Sequence, residues 1–104
     1  MTVLDETLKI DSLWIEGVAV VVVRGDVDMT TAASLRATFE TLGPDDHVYV
    51  DCAGVESIHP TGLRVLEELA AKNVACGGPL HLLASAEVRR LIEIAGLEQL
   101  FALD

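Results

Sequence analysis

The stretch Val55-Glu56-Ser57-Ile58-His59-Pro60-Thr61-Gly62-Leu63-Arg64-Val65-Leu66 changes from the pattern of a strand to the pattern of a helix. Before it, the run from His47 to Cys52 has apolar residues on alternate positions, as in a strand. After it, apolar residues recur at helical spacing, which predicts an amphipathic helix from about Pro60 to Asn73. Pro60 suits the first helical turn, because its missing N–H is no loss there, and His59 is then predicted to be the N-cap.

The predicted helix start has two interpretations. The first turn of a helix presents unpaired N–H groups and the positive end of the helix dipole, which accommodate an anion or a phosphate. The alternative is a helix start without a ligand, which is the commoner case for so short a motif. The sequence leaves both interpretations open.

Length and composition indicate a single domain over residues 1–104, with one core. Hydrophobic residues make up 51% of the chain and aromatic residues only 4%, so the core is predicted to be aliphatic. Aliphatic helices packed on a sheet, an α/β arrangement, suit this composition.

The net charge of −10, with seven scattered Lys and Arg residues, argues against nucleic-acid binding. An acidic surface favours solubility and would suit a protein partner with a basic face. The longest purely apolar run, Val18 to Val23, is far shorter than the ~20 residues that span a bilayer, and the acidic N-terminus does not resemble a secretion signal. Cys52 and Cys76 lie too far apart for a zinc motif and are predicted to be reduced. We therefore expect a cytoplasmic protein without membrane insertion, cofactor or metal.

The chain order predicts a β-hairpin followed by alternating helices and strands. Leu8 to Ile15 forms the first hairpin strand, Gly17 the turn, and the Val18–Val23 run the second strand. This run lacks polar alternation, which predicts a strand covered on both faces. The expected fold is a four-stranded mixed sheet with parallel crossovers, flanked by helices.

Two polar turns, Gly25–Asp28 and Glu56–Gly62, follow strand ends and are therefore expected to meet at one edge of the sheet. Asp28 or Thr30 is predicted to cap the helix that follows, by accepting N–H bonds from its first turn. Asp26 and Asp28 lack a nearby His or a third acid at ligand spacing, so capping and surface charge are favoured over a metal site or an acid–base pair.

Catalytic motifs are missing from the sequence. There is no nucleophile elbow, dinucleotide fingerprint or P-loop. An enzyme that uses His59 with Thr61 or Cys52 is the less favoured alternative, because a small buried Cys and a solvated His are common without catalysis. The sequence predicts a non-enzymatic protein.

Six ordered groups of residues, from about Leu8 to the C-terminus, carry a family resemblance. They are Gly25-Asp26-Val27-Asp28, Thr31-Ala32 with Leu35, Val50-Asp51 with Gly54-Val55, Thr61-Gly62-Leu63 with Leu66, Gly77-Gly78 with Leu80 and Leu82, and Val88-Arg89-Arg90-Leu91 with Gly96-Leu97. In this order they resemble a STAS domain of the anti-sigma factor antagonist type.

The resemblance implies a regulatory module that captures an anti-sigma factor and so frees a sigma factor for transcription. The partner is often a serine kinase with a histidine-kinase-like ATPase fold, which phosphorylates a hydroxyl at the helix start in an Asp-Ser-Ser/Thr-Gly-Leu motif. The added negative charge then weakens binding. The positions implied to contact the partner are Asp26, Asp28, His59, Pro60, Thr61, Gly62 and Arg64.

This sequence departs from the family motif at its centre. Aligned on Gly62, it has His59 at the usual Asp position and Pro60, which has no hydroxyl, at the usual acceptor position. Thr61 matches the second hydroxyl, which in the family is generally not the acceptor, and Ser57 lies too early. We expect the usual phosphorylation switch to be lost. A STAS subunit of an ABC-type lipid transport system, which needs no phosphoserine, is the alternative function.

Overall fold

The structure, a computed structural model, describes residues 2–4, 7–43 and 46–103. These residues form six strands, three α-helices and one short 3₁₀ turn. In chain order they are β1 (Thr2–Leu4), β2 (Leu8–Ile15), β3 (Val18–Val27), α1 (Ala32–Glu40), β4 (His47–Ile58), α2 (Pro60–Cys76), β5 (Leu80–Ala84), α3 (Ala86–Ala95), the 3₁₀ turn Glu98–Leu100 and β6 (Phe101–Leu103). No helix within these ranges is long and apolar enough to cross a membrane.

The strands lie in one mixed sheet in the order in which they occur along the chain. β1, β2 and β3 are antiparallel neighbours, and β3 to β6 are parallel neighbours. The predicted α/β class, with an N-terminal hairpin and parallel crossovers, is confirmed. The described residues add β1 and β6 to the four predicted strands, since segments of three residues are too short to show a period.

The three helices pack on the same face of the sheet. Because each parallel strand lies beside the previous one in the same direction, right-handed crossovers place every connecting helix on one side. The core lies between these two layers. Val21, Val50 and Leu82, paired across β3, β4 and β5, are fully buried in it.

The other face of the sheet, called the open face below, is not covered by the helices. The prediction that the Val18–Val23 run is covered on both faces is wrong, because alternate residues of β3 are buried and half-buried. A continuous run of valines fits a strand that is covered on one face as well as a strand that is covered on both, so the run does not show which face is covered. Strand register places these apolar residues on the open face: Leu13, Ile15, Val18, Val20, Val22, Tyr49 and Leu83.

β3 and β4 extend further than predicted, to Val27 and Ile58. Much of the two expected turns is therefore strand. Two register shifts interrupt the β3–β4 pairing at Val22/Arg24 and at Gly25/Asp26. Gly25 has a φ of 100°, and a Cβ there would collide with the backbone carbonyl of Thr7. Its polar surroundings thus mark a bulge within the strand, not the end of the strand.

Candidate functional site

The two polar segments meet at the carboxyl edge of the parallel strands, as the sequence predicted. The backbone N–H of His59 donates to the carbonyl of Val27 at 2.7 Å. The Ser57 hydroxyl donates to Oδ1 of Asp26 at 2.8 Å. These bonds join the end of β3 to the start of α2, so both segments form one surface.

Asp28 organises the turn that precedes α1. Its Oδ1 accepts the backbone N–H of Thr31 at 2.8 Å and that of Thr30 at 2.9 Å, and also both threonine hydroxyls. The N–H of Thr31 contributes most to lowering the pKa of Asp28 to about 2, with the Thr30 hydroxyl next. Asp28 thus stabilises the turn before α1 as a charged acceptor, but the N-cap of α1 is Thr31, and not Asp28 or Thr30 as the sequence predicted.

His59 is the N-cap of α2, as predicted, and its ring does the capping. Nδ1 accepts the backbone N–H of Thr61 at 3.1 Å and lies 3.0 Å from the Thr61 hydroxyl. As an acceptor of this N–H, Nδ1 carries no proton.

The first turn of α2 offers no free backbone donor. Pro60 lacks an N–H, Thr61 donates to the His59 ring, and the N–H groups of Gly62 and Leu63 donate to the His59 carbonyl at 2.8 and 3.1 Å. The hypothesis of an anion held by unpaired N–H groups therefore does not fit this helix start.

Six of the seven sequence-predicted contact positions are accessible. His59, Pro60, Arg64 and Asp28 are exposed, and Asp26 and Thr61 are half-buried. The exception is Gly62, which is buried, and a Cβ there would collide with Cγ1 of Val27 and lie 3.2 Å from Cγ1 of Ile58. Gly62 is therefore a packing residue that brings α2 close to β3 and β4.

Met29 is a surface residue that the sequence reasoning missed. Its side chain is 65% exposed and follows Asp28 directly in the turn before α1. Methionine is enriched at protein interfaces, and a large apolar side chain inside a polar turn was the signal available in the sequence. We call the following set the edge surface: Asp26, Asp28, Met29, His59, Pro60, Thr61 and Arg64.

The proposed pairing of Cys52 with His59 is not formed. Cys52 is only 1% exposed, in the core beneath the sheet, whereas His59 is exposed. Burial raises the pKa of the Cys52 thiol to about 12, so the thiol is not a nucleophile at neutral pH. Within the described ranges, His, Cys, Asp and Glu side chains do not form a group of three or more that would hold a metal ion.

Comparisons with known proteins agree with this architecture. A family model described as "Mlab, STAS domain" matches residues 14–103. The crystal structure of an anti-sigma factor antagonist from Mycobacterium paratuberculosis is similar, with a TM-score of 0.78 and 28% sequence identity. The match covers 93% of this chain and 85% of that chain. A search of curated proteins gives no match.

Proposed function

This chain belongs to the STAS domain family, and from that membership we propose that it is an anti-sigma factor antagonist, which binds an anti-sigma factor and so frees a sigma factor for transcription. The observation that carries the proposal is the likeness to the M. paratuberculosis antagonist, at 28% identity over 93% of this chain. Such a function needs a rigid binding surface and no catalytic group.

The edge surface supports this function because it combines charge with an apolar anchor. Asp26 and Asp28 carry negative charge beside the exposed Met29. Exposed Arg64 supplies a positive charge on α2. A partner with a basic patch next to an apolar pocket would complement this arrangement, with the charges setting orientation and Met29 filling the pocket.

The proposal includes the loss of the usual phosphorylation switch. Pro60 has no hydroxyl, and the first turn of α2 has no free N–H group to receive a phosphate. The Ser57 hydroxyl points at the carboxylate of Asp26, so a phosphate on Ser57 would lie beside a like charge. Thr61 is half-buried against the ring of His59. Binding is then constitutive, or it is controlled by other means.

Affinity capture from cells of the source organism, followed by binding measurements with the purified partner, tests the proposal. We expect the tagged parent to recover an anti-sigma factor and the pair Met29→Asp with Arg64→Glu to bind it at least ~10-fold more weakly. Ile94→Asp is the matched control, because Ile94 is 69% exposed on α3, away from the edge surface. Recovery of a transporter ATPase in place of an anti-sigma factor, or equal binding by all variants, would contradict the proposal.

A further inference from the structure

The helix layer contains a cavity beside the C-terminal half of α2. Both α1 and α2 follow a parallel strand, so they begin at the same edge of the sheet and run side by side. α1 has nine residues and α2 has seventeen. At about 1.5 Å per residue, α2 is therefore about 12 Å longer than its neighbour. A cavity of about 390 Å³ lies between the end of α1 and this longer part of α2.

The lining of the cavity is largely apolar. Its apolar side chains come from both helices, from the segment after α1 and from the first residues of β4, and we call the cavity that they line the helix groove: Phe39, Leu42, Val48, Val65 and Leu69. Cavities of about 300–1,000 Å³ with apolar walls and a few well-placed polar groups are the usual binding sites for small molecules. The polar groups of the helix groove therefore indicate which small molecule would fit.

Two pairs of opposite charges face each other across α1 and α2. Arg36 and Glu40 lie one turn apart on α1, and Glu68 and Lys72 lie one turn apart on α2. Nη2 of Arg36 is 3.1 Å from Oε1 of Glu68, so the first pair joins the helices. Glu40 and Lys72 also line the helix groove, but neither forms an ion pair with another residue in the described ranges. The groove thus offers one carboxylate and one ammonium group, on opposite walls.

The position of Glu40 favours a cation at the α1 wall. Glu40 is the last residue of α1, where the negative end of the helix dipole makes a carboxylate unfavourable and a positive group favourable. Asp46 is the remaining acid of the lining, and its Oδ2 already accepts the N–H of Gly43 at 2.5 Å. A bound cation is therefore expected beside Glu40, and a bound anion beside Lys72.

We propose that the helix groove binds a free amino acid with a large apolar side chain. The α-ammonium group of the ligand pairs with Glu40 and its α-carboxylate with Lys72, since both are long exposed side chains that can converge on one ligand. The apolar side chain of the ligand lies on the groove floor, where the ring of Phe39 favours an aromatic group. The edge surface lies at the opposite end of α2, so this binding site does not depend on the proposed function.

Isothermal titration calorimetry with L-phenylalanine tests the proposal. The controls are hydrocinnamate, which lacks the ammonium group, and phenethylamine, which lacks the carboxylate. We expect phenylalanine to bind at millimolar concentration and each analogue to bind at least ~3-fold more weakly. Glu40→Gln should weaken phenylalanine binding at least ~3-fold without weakening hydrocinnamate, and Lys72→Gln should do so without weakening phenethylamine. Glu93→Gln is the matched control, because it removes an exposed acid on α3 outside the groove lining.

Cys76 reports whether the ligand occupies the helix groove itself. This exposed thiol belongs to the groove lining, whereas Cys52 is buried and the pKa of its thiol is raised to about 12. N-ethylmaleimide should therefore modify Cys76, and phenylalanine should slow that reaction in proportion to its occupancy of the groove. Absence of phenylalanine binding, or equal binding of all three compounds, would overturn the proposal. Binding that leaves the modification rate of Cys76 unchanged would also overturn it, because the ligand would then lie elsewhere.

Discussion

At the scale of single residues, Gly62 is required because of space and not because of backbone conformation. It lies in the first turn of α2, where the helix crosses the ends of β3 and β4. The nearest atom to an added Cβ would belong to Val27, a β-branched side chain that is only 1% exposed and has little freedom to move.

Gly62→Ala is therefore expected to destabilise the protein by about 1–3 kcal/mol, the usual cost of overpacking a filled core. Gly77→Ala is the matched control, because an added Cβ at Gly77 meets no atom within 4 Å. We expect the control to change the free energy of unfolding by no more than about 0.5 kcal/mol. Urea unfolding of both variants makes the comparison, and equal stabilities would show that α2 shifts to accept the methyl group.

The charge of Asp28 makes the stability of the α1 turn depend on pH. The N–H and hydroxyl groups of Thr31 and Thr30 donate hydrogen bonds that stabilise the charged form of Asp28. They lower the pKa of its carboxyl group from the ordinary value of 3.8 to about 2. A carboxyl group with a lowered folded-state pKa stabilises the fold above its unfolded-state pKa. That stabilisation is lost as the pH falls through the folded-state value.

Asp28→Asn should therefore be less stable than the parent near pH 6, and the difference should shrink as the pH falls from about 4 towards 2. Asparagine keeps an oxygen acceptor and has no titrating proton, so the difference between the two proteins isolates the carboxylate. Urea midpoints at several pH values measure it. A difference that stays constant down to pH 2 would show that the charge of Asp28 contributes nothing.

At the scale of elements, the start of α2 shows which features the sequence reveals. The N-cap role of His59 and the first-turn position of Pro60 were predicted correctly because they depend on local geometry. The sequence did not predict that every N–H group in the first turn of α2 donates a hydrogen bond within the protein. It depends on a ring nitrogen folding back onto Thr61, and histidine is not among the usual capping residues.

Replacing His59 and Pro60 at the start of α2 should restore the family motif. His59→Asp with Pro60→Ser supplies a hydroxyl at the acceptor position and an acid before it. We expect the double variant to take up one phosphate from an active anti-sigma factor kinase and the parent to take up none. Intact-mass measurement after incubation with ATP gives the answer. His59→Asp alone is the control, since it still lacks the hydroxyl. Phosphate anywhere in Ser57–Thr61 of the parent would refute the loss of the switch.

At the scale of the whole molecule, the fold class follows from the sequence, and the placement of its layers does not. Alternating strand and helix periods predicted the mixed sheet, and strand ends predicted the meeting of the Asp26 and His59 segments. The open face was missed because Val20 and Val21 are chemically the same residue on opposite sides of the sheet. Gly62 was assigned to the contact surface because its burial depends on Val27, which is distant in sequence.

The sheet joins the two ends of the chain into one cooperative unit. Phe101 in β6 is 6% exposed and pairs in register with Leu80, while Trp14, in the hairpin at the other side of the sheet, is 58% exposed. Because the buried hydrophobic residues that the structure describes form one core, loss of packing at β6 should lower the stability of the hairpin as well.

Phe101→Ala is expected to cost about 3–5 kcal/mol, the usual range for removing a buried ring. Ile94→Ala, at a 69% exposed site, should cost no more than about 0.5 kcal/mol. Trp14 fluorescence reports the hairpin and far-ultraviolet circular dichroism reports the helices, so both signals should shift together to lower urea in Phe101→Ala. If the Trp14 transition stayed at its parental midpoint while the helix signal moved, β6 and the hairpin would unfold as separate units. The core would then be contiguous in the structure but would contain two regions that unfold independently.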